Sequence, residues 1–378
     1  MTYSHARGSY RHALRLLLAP ARLRESLTPT RPPALRNSVV VGIQVAAATL
    51  LVTAILHFSP WQHVLGFASL GALAALFGRT LGVPQRRRVV LMAGTLLVAP
   101  VAVLSGLAWL GLPPWALLLA LAAFSGVIAS LAHRMQTGVP GAVIFIFAAS
   151  AALQPVDSAA LLLQRSAATA LGVLAALLLC RLTDHLRTAP AAAPSPLQHL
   201  AHKVVGHVHP GYAPRQAVRV ALCAALASGL AYAAGWSHPA WAAIGAVAVQ
   251  QGAHLPGTAH RAWQRTLGTM VGAAMAWALL SSSPSLWTLL LTVALLQICT
   301  EVCMGVNYAL GQVFVTPMAL LMTTLAAPGE ANDMAVARIF DTALGAGVGI
   351  VLAWAFSSVD ERIYLLRHDL QQRRNSPI

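Results

Sequence analysis

Apolar runs close to the length needed to cross a bilayer recur along the chain at 38–58, 62–78, 89–110, 115–132, 139–154 and 160–181. A second set follows at 216–235, 239–252, 266–281, 285–303, 306–326 and 336–357, separated by short polar or proline-bearing turns. A hydrocarbon core about 30 Å thick is spanned by roughly 20 helical residues, so each run reads as a membrane helix. The run at 239–252 is too short to cross unaided, which predicts a broken or tilted span. The pattern predicts an all-α polytopic membrane protein of about 12 transmembrane helices in two six-helix halves.

The expected boundaries are a basic segment at 1–37, a first membrane half at 38–186, a linker at 187–214, a second half at 215–358 and a tail at 359–378. With 57% hydrophobic and 9% charged residues, the chain has far more apolar surface than a water-soluble core hides. A net charge of +15 would suggest nucleic acid in a soluble protein, but here it is carried almost wholly by Arg gathered in certain loops and tails. That distribution reads as topology, because basic residues sort to the cytoplasmic side and face anionic lipid headgroups. Nucleic acid is therefore not an expected partner.

Loop charge tests the helix count, since alternate connections should be rich and poor in Arg. The rich set is the N-terminal tail, Arg79 with Arg86–Arg88, Arg134, the linker, Arg261 with Arg265, and the C-terminal tail. The turns near Pro60, Pro113, Asp157, Pro239, Pro284 and Glu330 carry neither Arg nor Lys and are expected outside. Both termini are then cytoplasmic. The long Arg-rich stretch before the first apolar run does not resemble a cleavable signal, so that run should remain as a span. Amphipathic stripes at Ala13–Ala21 and Leu197–Val208 read as interfacial helices.

The halves are related in sequence. Arg165 to Gly172 (RSAATALG) and Arg338 to Gly345 (RIFDTALG) agree at five of eight positions, at a constant offset of 173. Pro60, Gly66 and Gly78 align with Pro239, Gly245 and Gly257 at an offset of 179, and Gly94-Thr95 echoes Gly268-Thr269. Six spans per repeat give both halves the same orientation, so a symmetry axis along the membrane normal is expected.

A charged side chain at a helix centre costs about 2.5–3.5 kcal/mol on insertion scales, so each one asks for a partner or a purpose. Arg338 and Asp341 lie three residues apart, near enough to pair. Arg165 has Ala168 where its counterpart has Asp341, so it either snorkels to the headgroups or faces a central cavity. Glu301 has no basic neighbour within a turn. It either meets an Arg from another span or serves proton coupling, as Asp341 also could. Asn307, Tyr308, Gln312, Thr316 and Pro317 interrupt an apolar run, with Gly138–Gly141 as the counterpart in the first half. Interrupted helices at matching repeat positions point to a substrate site, where Gln250, Gln251 and His254 would add polar groups.

The sequence contains no metalloprotease motif, paired acidic motif or Walker loop. Gly345, Gly347 and Gly349 lie within a span and read as helix-packing residues. The histidines of the linker have no carboxylate or thiolate beside them and read as a solvated face. No enzymatic activity, cofactor or metal is expected.

The strings Arg265-Thr-Leu-Gly268-Thr269, Asn307-Tyr308 with Phe314-Val-Thr316-Pro317, and Arg338–Gly345 with its copy at Arg165 resemble the fusaric-acid-resistance (FUSC) and aromatic-acid-exporter family of bacterial inner-membrane proteins. The family is distantly similar to plant malate channels. The resemblance implies efflux of aromatic or other small organic acids across the inner membrane, driven by protons. Many such proteins carry large soluble regions after each half, whereas this chain has only a linker and a short tail. On this reading Arg165 and Arg338 attract the carboxylate, Asn307, Tyr308, Gln312, Gln250 and Gln251 shape the pocket, and Glu301 and Asp341 carry protons. The expected partners are a small organic anion, protons and anionic lipids; homo-oligomerisation is open. An anion channel or a non-transporting scaffold subunit would share many of these features.

Overall fold

The computed structural model describes residues 35–138, 140–188, 212–252, 255–326 and 331–357. The interfacial stripes, the linker histidines, His254, Glu330 and both tails lie outside the described residues. The described residues form twelve α-helices and no strand. In the first half these are α1 (Leu35–His57), α2 (Leu65–Ala72), α3 (Val83–Trp109), α4 (Pro114–Arg134), α5 (Ala142–Ala151) and α6 (Ala159–Thr183). The second half supplies α7 (Tyr212–Ala233), α8 (Pro239–Gln250), α9 (Leu255–Ser281), α10 (Leu286–Val306), α11 (Tyr308–Ala326) and α12 (Ala331–Ala355).

Eight of these, α1, α3, α4, α6, α7, α10, α11 and α12, are long and apolar enough to cross a membrane. Their outward faces carry large apolar side chains, such as Leu163 at 66% and Leu295 at 61% exposure, which only lipid can solvate favourably. This is the architecture of a multi-pass membrane protein.

The short helices occupy the interior. Every residue of α2 is buried, as are ten of the twelve in α8. At about 1.5 Å per residue neither reaches across a hydrocarbon core, and the backbone that follows each, at Leu76–Gly78 and at Gly252, is buried in protein, which is where non-helical backbone is tolerated at membrane depth. The expectation of a broken or tilted span at 239–252 is met by a short buried helix instead.

Glycine lets these central helices approach the long ones. A Cβ at Gly71 in α2 would fall on the Thr169 carbonyl of α6, and one at Gly172 would fall on Ala68. In the second half a Cβ at Gly345 of α12 would fall on the Ala242 carbonyl, and Gly245 faces Thr342 and Gly345. Phe67 lies beneath the Arg165 guanidinium at 5.2 Å, and Trp241 beneath that of Arg338 at 5.0 Å. Phe67 and Trp241 are 174 residues apart, as are Gly71 and Gly245.

The halves meet through two long-helix pairs, α1 with α10 and α4 with α7. Gly42 brings α1 within 2.9 Å of the Ile298 backbone for a notional Cβ, and Gly126 brings α4 to 2.6 Å of the Ala217 carbonyl. Close contact through small residues drives such packing in lipid, where no hydrophobic effect separates helix from tail.

The ninth helix departs from expectation by starting at Leu255 rather than 266. Its first turns carry Arg261 and Arg265, which meet protein partners rather than water, so the charged prefix stays helical.

Candidate functional site

Between the halves lies a cavity of about 240 Å³, bounded by α5, α8, α9, α10, α11, the turn that follows α2 and the first third of α12. Its lining is mainly apolar, with Leu73, Ile144, Phe147, Ile244 and Met318 among the walls. Into it project four guanidinium groups, Arg79, Arg261, Arg265 and Arg338, and a single carboxylate, Glu301. Tyr308, Gln312, Gln297 and Thr300 complete the polar lining.

Tyr308 organises one wall. Its hydroxyl accepts hydrogen bonds from Gln312 Nε2 at 3.0 Å and Arg265 Nη1 at 3.4 Å, and Arg261 lies over its ring at 5.1 Å. Asn307 makes this possible by breaking the chain. It adopts extended backbone between α10 and α11, and its Oδ1 accepts from the Ala309 amide at 2.7 Å, capping α11. The arrangement aims Tyr308 and, one turn on, Gln312 into the cavity.

Arg338 is buried, 4% exposed, with Nε and Nη1 making no hydrogen bond to any described residue. Among the described residues no ion pair joins it to Asp341, whose two carboxylate oxygens likewise accept nothing although the side chain is fully buried. Arg265 is 3% exposed, and its Nε is also without a partner. Guanidinium groups held away from water without counter-ions are costly unless an anion joins them.

Glu301 meets a partner that lies far away in sequence: Arg79 Nη1 stands 3.4 Å from Glu301 Oε2. Arg79 is held by a buried cluster at the Arg-rich end of the first half. Asp184 pairs with the fully buried Arg86 and with Arg187. Arg86 donates to the carbonyls of Ala75 and Phe77, and Arg187 to those of Arg79 at 2.6 Å and Leu81 at 2.9 Å. Arg86 therefore works as a structural bolt, where the loop-charge pattern alone suggests a solvated topogenic residue.

The other sequence-selected residues support the scaffold. Arg165 does not line the cavity; Nη1 and Nη2 donate to the carbonyls of Gln154 and Pro155, both at 2.9 Å, tying α6 to the turn before it. Gln250 Nε2 donates to Gly349 O and Cys223 Sγ, each at 2.9 Å, joining α8, α12 and α7. Gln251, its amide oriented by its neighbours, donates to Pro140 O and accepts from the amides of Ala142 and Val143, capping α5. Pro317 leaves the Val313 carbonyl without its helical donor, but Gly272 of α9 packs there, with a notional Cβ 2.7 Å from that oxygen. The freed group thus serves helix packing.

Arg79, Arg261 and Arg265 stand among the basic loop residues in the sequence and do not show there as lining a site. Arg261 and Arg265 are four residues apart and share a helix face, a signal available from spacing once the helix is known to start at Leu255.

A second cavity, of about 440 Å³, lies toward the turns that lack Arg and Lys, lined by residues such as Leu112, Gln154, Asp157, His238 and Thr323. Phe147 borders both cavities. Leu70, Trp241 and Met322 face this one, while Leu73, Ile244 and Met318, about one turn away on the same helices, face the arginine-lined one. One layer of packed side chains separates the two.

Fold and cavities together define a multi-pass helical membrane protein with an arginine-lined chamber buried between its halves. Residues 225–352 match the family model described as Fusaric acid resistance protein-like, a stretch containing every charged cavity residue except Arg79. The chain is also 33% identical over 142 residues to the uncharacterized membrane protein YvaC of Bacillus subtilis (strain 168). That alignment covers 36% of this chain and 22% of the relative. No solved structure matches the chain.

Proposed function

We propose that the protein is a secondary transporter of the bacterial inner membrane that exports small organic acids, aromatic ones included, through the path between two parallel six-helix repeats. The observation that carries this reading is the charge of the inner chamber: of its four guanidinium groups, only Arg79 has a carboxylate partner among the described residues. Such a chamber favours an anion with an apolar body, since apolar walls surround the cations.

Arg338 and Arg265 take the carboxylate in this reading, with Tyr308, Gln312 and the Arg261 face shaping the remainder. Arg165, Asn307, Gln250 and Gln251 hold the helices that present them. Glu301 and Asp341 are the proton carriers, the first beside Arg79 and the second one turn from Arg338. The repeat is supported by the paired Phe67/Arg165/Gly71 and Trp241/Arg338/Gly245 arrangements, and by α1–α10 mirroring α7–α4. Loop charge supports placing the Arg-rich end and both termini in the cytoplasm.

Phe147, with the steps from Leu70 to Leu73, Trp241 to Ile244 and Met322 to Met318, stands between the two chambers, an arrangement that favours a carrier over an open channel. Proteoliposomes preloaded with benzoate and subjected to a pH gradient should show gradient-dependent flux that falls when Arg338 is changed to Gln. Absence of gradient-dependent flux across a panel of organic acids would refute the proposal.

A further inference from the structure

We infer that the Arg79–Glu301 pair is a latch across the mouth of the arginine-lined chamber, opened when the carboxylate of the transported acid takes the place of Glu301 on Arg79. The inference rests on the transport reading for its ligand, but not for the latch itself.

Among the described residues, this is the one ion pair that joins the two halves. Arg79 follows α2, and Glu301 lies near the end of α10 that faces the Arg-rich loops. Both side chains line the chamber where it approaches that end. Their exposures differ: the Arg79 side chain is 18% exposed and the Glu301 side chain 6%, so the arginine is the member reachable from outside.

The latch is asymmetric in rigidity. Arg187 grips the Gly78, Arg79 and Leu81 carbonyls, and Arg86 grips those of Ala75 and Phe77, so the loop presenting Arg79 is fixed from behind. Gly78, at φ 70°, sets the turn and packs on Arg86. Arg187 is thereby a positioning residue for Arg79. At 3.4 Å the contact between the charges is looser than an optimal charge-assisted hydrogen bond of about 2.7–2.9 Å, and it uses only one guanidinium nitrogen. Arg79 therefore keeps unused donors with which to greet an incoming carboxylate; the displaced Glu301 takes up a proton, so one acid anion and one proton enter together, charge balance is kept, and the hold between the halves is released.

The test uses the full chain, purified in detergent, with Thr300→Cys as reporter and Cys299 and Cys303 replaced by Ser. Thr300 lines the chamber beside Glu301, whereas the remaining Cys180 and Cys223 are buried away from it. Labelling by N-ethylmaleimide reads access, and titration with benzoate reads affinity. Glu301→Gln and Arg79→Gln should each speed labelling of the reporter thiol by about threefold or more, the scale of one partly exposed ion pair. The exchanged pair Arg79→Glu with Glu301→Arg should slow it again. Benzoate should bind Glu301→Gln more tightly, since no carboxylate competes, and Arg79→Gln more weakly.

An unchanged labelling rate in Glu301→Gln overturns the latch. Faster labelling with weaker benzoate binding in Glu301→Gln overturns the exchange step. Labelling of Cys180 or Cys223 would mean that the substitution unfolds the bundle, making the pair a fold-holding bridge and also overturning the latch. If benzoate binds no variant, parent included, the transport reading fails while the labelling arm still decides the latch.

Discussion

Arg165 and Arg338 occupy matching places on α6 and α12, each stacked on an aromatic residue of a short central helix. Their surroundings divide them. Arg165 spends its donors on two carbonyls, while Arg338 leaves Nε and Nη1 unbonded at the chamber wall. Removing an uncompensated buried cation relieves a desolvation penalty, whereas removing one satisfied by carbonyls orphans them. Arg338→Gln should therefore weaken benzoate binding by about tenfold or more, a change of roughly 1.4 kcal/mol, without lowering the melting temperature. Arg165→Gln should lower the melting temperature and leave affinity near that of the parent; the reverse pattern would exchange their roles. Sequence singles out both because each is a charge within a span, and it singles out Tyr308, Gln312 and Glu301 because polar groups in apolar helices are rare. It cannot separate scaffold from chamber, which depends on carbonyls such as those of Gln154 and Pro155 that only folding brings near. Arg79, Arg86, Arg261 and Arg265 are hidden for the opposite reason: next to loops, a buried arginine and a topogenic one look alike.

At the scale of elements, the short helices α2 and α8 can sit at the centre because glycine lets α6 and α12 close over them. On α6 and α12 the closest approaches are at Gly172 and Gly345, with carbonyls of α2 and α8 where a side chain would go. Gly172→Leu and Gly345→Leu should each destabilise the fold by at least the roughly 1–3 kcal/mol of an overpacked core. The measurement is the detergent-denaturation midpoint, against Gly347→Leu as the control, whose Cβ would meet open space. Helix periods and the run at 239–252 reveal which segments are short. They do not reveal that shortness marks the centre of the bundle, because burial on every side is a property of the neighbours. The interruption at Pro317 is equally visible, but the use of the Val313 carbonyl depends on Gly272, which lies on another helix.

Across the whole molecule, the halves face one another through α1 with α10 and α4 with α7, enclosing two chambers on either side of one packed layer. The chamber near the Arg-rich loops holds four guanidinium groups, whereas the lining of the other contains no Lys or Arg and includes Asp157. Positive charge is thus concentrated on one side of the layer, the polarity that the proposed loading at the first chamber and release from the second would use. The apolar runs are readable from the chain, although of the twelve only eight form helices long and apolar enough to cross a membrane; the layer at Phe147 is not readable, since it assembles from helices distant in sequence.

The most direct measurement is a structure of the full chain in lipid nanodiscs with benzoate at saturating concentration. The ligand should sit in the smaller chamber, its carboxylate against Arg338 and Arg265 and its ring against the Phe147 and Ile244 wall. A chamber closed over dry side chains, with those arginines turned to acyl chains or paired to protein carboxylates, would contradict that placement.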